Sequence, residues 1–109
     1  MITWKELVKG VPLTGAAASV YTAPALTYAT IQAASVNNST AAAIAVNVYL
    51  VPSGEAQGNG YRIASRSVPA GGVLSLSELV NHKLEPGAQL YADGDGLSLT
   101  ISGSENVPE

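Results

Sequence analysis

The chain has 109 residues, a formal net charge of -3, 12% charged residues, no cysteine and no phenylalanine. That length supports one domain with a single two-layer core and excludes a multidomain enzyme. The absence of cysteine excludes disulfides and thiolate metal sites, and the scarcity of Lys and Arg argues against a nucleic-acid surface, which needs concentrated positive charge.

The first segment carries a local helix signal. Thr3 as N-cap with Glu6 three residues on, and Trp4, Leu7 and Val8 as an apolar patch, predict one or two helical turns over Thr3–Lys9, stopped by Gly10 and Pro12. So short a helix serves equally as local core or as an arm over residues 1–11 that docks on a neighbour. Its start has no basic region followed by a long apolar run, and no segment approaches the roughly 18–20 apolar residues of a membrane span. The expectation is a soluble product made in the cytoplasm, with no membrane and no nucleic acid among its partners.

Beyond Pro12 the chain reads as strands separated by Pro, Gly and Asn. Ser19–Thr22 is a short strand closed by Pro24, and Leu26–Val36 a long one. Ile31 and Val36 differ in parity there, so either a bulge lies near Ala33–Ser35 or one of them faces outward. Asn37-Asn38-Ser39 turns the chain into the clearest pattern in the sequence, where Ile44, Val46, Val48 and Leu50 alternate with Ala43, Ala45, Asn47 and Tyr49. A period of two puts the branched set against a core. The small, uncharged set between them is suited to lying against another chain, which makes Ala43, Ala45, Asn47 and Tyr49, with Trp4 and Leu7 of the arm, the candidate interface.

Tyr61–Val68 and Val73–Leu76 follow as strands, Ser77–Asn81 as a single helical turn capped by Ser77, and Ala88–Ala92 with Leu97–Ser102 as a hairpin around Asp93-Gly94-Asp95-Gly96. Leu97, Leu99 and Ile101 join the alternating set of the strong strand as the expected interlayer core. Roughly seven or eight short strands with frequent turn signals, and no amphipathic helix, predict an all-β fold: a two-layer, mainly antiparallel β-sandwich of jelly-roll or immunoglobulin-like type. The expected domains are residues 1–11 as arm or helix, 12–104 as sandwich and 105–109 as tail.

No constellation of reactive residues stands out. His82 has no second imidazole for a metal cage and no Gly-x-Ser-x-Gly elbow accompanies Ser75 or Ser77. Asp93 and Asp95 could supply an oxygen-rich loop, but an EF-hand loop begun at Asp93 would need Gly where Ser98 stands and Glu where Ser104 stands. Glu78 and Glu85 lack companion polar groups for acid–base work. No catalytic residue, cofactor or metal is expected. Tyr21, Tyr28, Tyr49, Tyr61 and Tyr91 suit core and interface use, or else a carbohydrate-stacking platform.

The runs Leu13–Pro24, Val36–Ser39, Val48–Gly54, Val68–Gly72, Leu84–Tyr91 and Leu97–Gly103 together resemble small structural proteins of tailed bacteriophages. The resemblance implies an immunoglobulin-like or jelly-roll sandwich serving as a head decoration (cement) protein, or alternatively as a neck or tail component or a carbohydrate-binding host-recognition module. It further implies a virion location and contact with the major capsid protein. A homotrimer follows only by similarity to decoration proteins at capsid threefold positions.

Overall fold

One long hairpin, rolled up, accounts for the whole architecture. The computed structural model describes residues 2–108, so Met1 of the expected arm and Glu109 of the expected tail lie outside the described residues. The strands are β1 (Ile2–Pro12), β2 (Ala18–Thr22), β3 (Tyr28–Asn38), β4 (Ile44–Val51), β5 (Arg62–Val68), β6 (Val73–Ser75), β7 (Lys83–Leu84), β8 (Gln89–Asp93) and β9 (Leu97–Asn106). Antiparallel pairs nest inside one another: β1 with β9, β2 with β8, β3 with β6 and β7, and β4 with β5. Rolling this hairpin adds the pairs β3–β9 and β4–β8. The result is a five-stranded sheet in the order β1-β9-β3-β6, with β7 also on β3, and a four-stranded sheet in the order β2-β8-β4-β5. Nested pairing of this kind selects the jelly roll from the two sandwich types expected.

The core lies between the sheets where the sequence alternation places it. Val46, Val48, Leu99 and Ile101 are fully covered and Leu97 nearly so, while Ile44 and Leu50 sit half-buried at the two ends of β4 against that cluster. Ile31 and Val36 both point inward. The parity change between them is absorbed by a register shift between Ile31 and Ala33, one position before the expected bulge.

Three expectations are corrected. Thr3–Lys9 is not helical; it belongs to β1, paired with β9 from Ile2↔Asn106 to Pro12↔Ser98. The cap pattern is local, whereas Ile2, Thr3 and Trp4 are strand-favouring residues presented with a ready partner, and the tertiary pairing wins. A register shift between Glu6 and Val8 lets the consecutive Leu7 and Val8 both turn inward. Second, β8 and β9 do not form a hairpin: they lie in different sheets, and Asp93–Gly96 is a corner between them, held by Gly94 N–H donating to Thr14 O at 2.8 Å. Third, Ser77 does not cap its turn; Ser77–Leu79 is a short 3-10 turn without a side-chain cap.

The corner from β3 to β4 is organised by Asn38, which is fully buried. Its Nδ2 donates to Ala42 O (2.8 Å) and Val68 O (3.0 Å), and its Oδ1 accepts from Thr40 N (2.9 Å) and Thr40 Oγ1 (2.6 Å). Every polar atom of the amide is satisfied, as burial demands.

Candidate interaction surfaces

The outer face of the four-stranded sheet is polar and tied together. Since Val46 and Val48 face the core, Ala45, Asn47 and Tyr49 face away from it, and the register sets Asn47 opposite Asp93 and Tyr49 opposite Tyr91. Asn47 Nδ2 donates to Asp93 Oδ1 at 2.9 Å and the Tyr49 hydroxyl to Asp93 Oδ2 at 3.1 Å. Tyr49 is only 5% exposed. Burial chiefly, then the Asp93 hydrogen bond and charge, hold its phenol above the usual range, with the Arg62 guanidinium opposing.

Of the six candidate interface residues, the structure therefore takes Tyr49 into the chain's own packing. Leu7 is likewise buried, under the strand pair β1–β9. The physical reason is position: β4 has β8 and β5 on its two sides, and Asp93 of β8 draws in the Asn47 and Tyr49 side chains. Ala43 and Ala45 remain exposed and Asn47 half-buried.

Trp4 is the contrasting case, 66% exposed. It shares a row with Ser104 and Thr30, and Ile2 shares the next with Asn106 and Tyr28. Because Ala29 and Ile31 are fully covered on the inner face, these rows look away from the sandwich. Ile2, Trp4 and Tyr28 thus form an apolar, aromatic end to the outer face of the five-stranded sheet.

Across the open mouth between β1 and β2, Glu105 joins the two sheets. The Tyr21 hydroxyl donates to Glu105 Oε2 and Lys5 Nζ lies 3.3 Å from Glu105 Oε1. Burial first, then Glu105's hydrogen bond and charge, raise the Tyr21 pKa well above the ordinary phenol value. No local pattern announces this link, since Glu105 stands 84 residues from Tyr21 and 100 from Lys5.

The remaining polar candidates are dispersed. His82 is half-buried and its backbone extends the edge of β3, with Ile31 N–H donating to His82 O at 2.9 Å. Asp93 is engaged as described and Asp95 is exposed, and among the described residues no cluster of three or more His, Asp or Glu could hold a metal. Glu78 pairs with Arg66 at 3.0 Å; its own backbone N–H first, and Arg66 after, hold its carboxyl below the usual range. Glu85 is not beside it but lines a separate open groove of about 550 Å³ with Leu50, Pro52, Ser53, Lys83 and Pro86. That groove presents the Ser53 hydroxyl, one cation and one carboxylate, and no histidine among its lining residues. Of the tyrosines, Tyr49 is buried with half-buried Tyr91 opposite it, the Tyr49 and Tyr61 hydroxyls are held by Asp93 and Glu55, and Tyr28 stands on the other sheet.

No protein-family model and no curated protein sequence matches the chain. A solved structure of infectious bursal disease virus, Gx strain, is similar at 12% sequence identity with a TM-score of 0.48, over 96% of this chain and 31% of that one. The chain thus spans about a third of the length of that viral chain, and at this level the likeness adds nothing to what the strand order already establishes: an all-β jelly roll.

Proposed function

We propose that the chain is a non-enzymatic structural subunit of a virus particle, and within that class a head decoration protein of a tailed bacteriophage. The observation that carries this reading is Trp4, 66% exposed beside Ile2 and Tyr28 on a sheet face where the domain itself offers no cover. An apolar face of this kind belongs against another protein. The dispersed titratable groups offer no competing catalytic arrangement, and the sequence resemblance to phage structural proteins supports a place in a phage particle.

In this reading residues 1–11 are the contacting segment, the working unit is a homotrimer seated on the major capsid protein, and the protein is made in the host cytoplasm before joining the virion. Mass spectrometry of purified particles, with cryo-electron microscopy to locate the density, tests it. Stoichiometric copies at capsid threefold positions are expected. Density at a neck or tail would move the assignment there, and consistent absence from mature particles would overturn it.

A further inference from the structure

The sheet edges of this molecule are unequally protected. An edge strand exposes a row of unpaired N–H and C=O groups that can template another strand, and proteins blunt such edges with charge, bulges or brevity. β5 carries Arg62 and Arg66 and a register shift opposite Val48/Tyr49. β2 is five residues long and shifted between Ser19 and Tyr21. The β6/β7 edge is broken into pieces of three and two residues by the Ser77–Leu79 turn. β1 differs. It carries Lys5 and Glu6, but Lys5 is drawn to Glu105 of β9, and its register irregularities begin only after Glu6, leaving Ile2–Glu6 as a regular edge segment with β9 on one side.

We propose that Ile2–Glu6 pairs antiparallel, edge to edge, with the same segment of a second copy, joining two five-stranded sheets across a twofold axis through Trp4. The register follows from two constraints. Antiparallel strands side by side are related by an axis normal to the sheet, so opposed residues must share a face and their numbers must sum to an even value. A sum of ten sets Lys5 against Lys5 of the second copy, a like-charge pair that opposes association. A sum of six leaves only Ile2–Trp4 in register. A sum of eight uses all of Ile2–Glu6, with Ile2 opposite Glu6, Thr3 opposite Lys5, and Trp4 opposite Trp4. The bulge at Leu7 ends the pairing. The two exposed apolar side chains of the segment, Ile2 and Trp4, then cover each other's surroundings on the outer face.

This pairing does not rest on the virion reading and is tested on the isolated 109-residue chain. Trp4 is the sole tryptophan, so its emission should shift to the blue as concentration rises through the association range and return on dilution. The chain has no cysteine, so Trp4→Cys supplies a single thiol on the axis; mild oxidation should give a covalent dimer, while Ser67→Cys on the exposed β5 edge should give little. The register itself is read by Ile2→Lys against Ile2→Glu. Both lose the same apolar contact, but lysine meets Glu6 of the second copy and glutamate repels it, twice by symmetry, so Ile2→Lys should associate roughly tenfold more tightly. Concentration-independent emission, with a monomer at high micromolar concentration, overturns the proposal. So does equal cross-linking at positions 4 and 67, or equal affinity of the two Ile2 variants. The pairing uses the segment that the virion reading gives to a homotrimer, so a trimer in solution overturns the pairing and leaves the virion reading standing, whereas a dimer removes the homotrimer and leaves particle location to be judged by particle composition.

Discussion

Trp4 and Tyr49 look alike in the sequence, each an aromatic ring in a weakly charged stretch suited to an interface, yet one is 66% exposed and the other 5%. The difference lies in the sheets rather than in the residues. Tyr49 is on a central strand, where β8 brings Asp93 to its hydroxyl and β5 brings Arg62 alongside. Trp4 is on an edge strand whose second side is open. An uncharged strand face therefore announces that something will cover it, and only the strand order decides whether the cover comes from the same chain or another.

The largest test removes the ground both rings stand on. Val48→Asp places a carboxylate in the fully covered layer beneath the Tyr49 face; an unpaired buried charge costs more than a domain of this size can spare, and circular dichroism should show loss of the sheet signal. Next comes Gly103→Ala, which strikes only the edge side. The new Cβ would stand 2.0 Å from Thr30 O and 3.2 Å from Leu7 Cδ1, between β1 and β3, and because the first obstacle is backbone the urea midpoint should fall by the equivalent of about 3 kcal/mol or more.

Asp93→Ala tests the central side. It strips the carboxylate from Asn47 and Tyr49 and should cost about 1–3 kcal/mol in chemical denaturation, leaving association through β1 unchanged. The same side has an alkaline signature. Tyr21 and Tyr49 hold their protons more tightly folded than unfolded, so their contribution is full below about pH 10 and is lost as pH rises toward their folded-state values. Urea midpoints measured upward from pH 9 should fall, and less steeply in Tyr49→Phe. The smallest effect on stability is expected from Trp4→Ala, within about 0.5 kcal/mol in thermal unfolding at concentrations below the association range, since the ring leaves no core void. A large loss there would erase the contrast between the two rings.

The strands with a strict period of two were legible without a structure. β4 and β9 carry their buried face in the alternation of Val46 and Val48 and of Leu97, Leu99 and Ile101. The punctuation by Pro24, Pro52 and Pro69 fell where strands end. What stayed hidden was non-local. β1 was disguised because Thr3 and Glu6 imitate a helix cap, while its strand partner lies at the other end of the sequence. The turn at Asp93–Gly96 has hairpin composition, and nothing in a turn's residues states whether the next strand continues in the same sheet or crosses to the opposite one. Of the candidate interface, Trp4, Ala43 and Ala45 keep an exposed position, whereas Leu7 and Tyr49 do not, because burial of each depends on residues roughly 40 to 100 positions away. The Glu105 link leaves no signature of spacing at all, and although Asn38 and Thr40 stand at Asx-turn spacing, the bond from Asn38 to Val68 that ties the corner to β5 does not show in it.

The nested pairing also sets an order of events during synthesis. β9 lies between β1 and β3, so a chain emerging from the ribosome carries both flanking strands long before the strand that belongs between them. Until Leu97–Asn106 is available, the five-stranded sheet has an open slot bounded by two eleven-residue strands, with Ile31, Val36 and Val8 lacking their native cover. Such a slot is a receptor for any extended apolar segment, including β9 of another nascent copy. Polysomes crowded with this message should yield strand-exchanged species, and slowing translation over the codons of β9 should increase them, whereas refolding a chain that already carries β9 at high dilution, where β9 reaches its own slot first, should not.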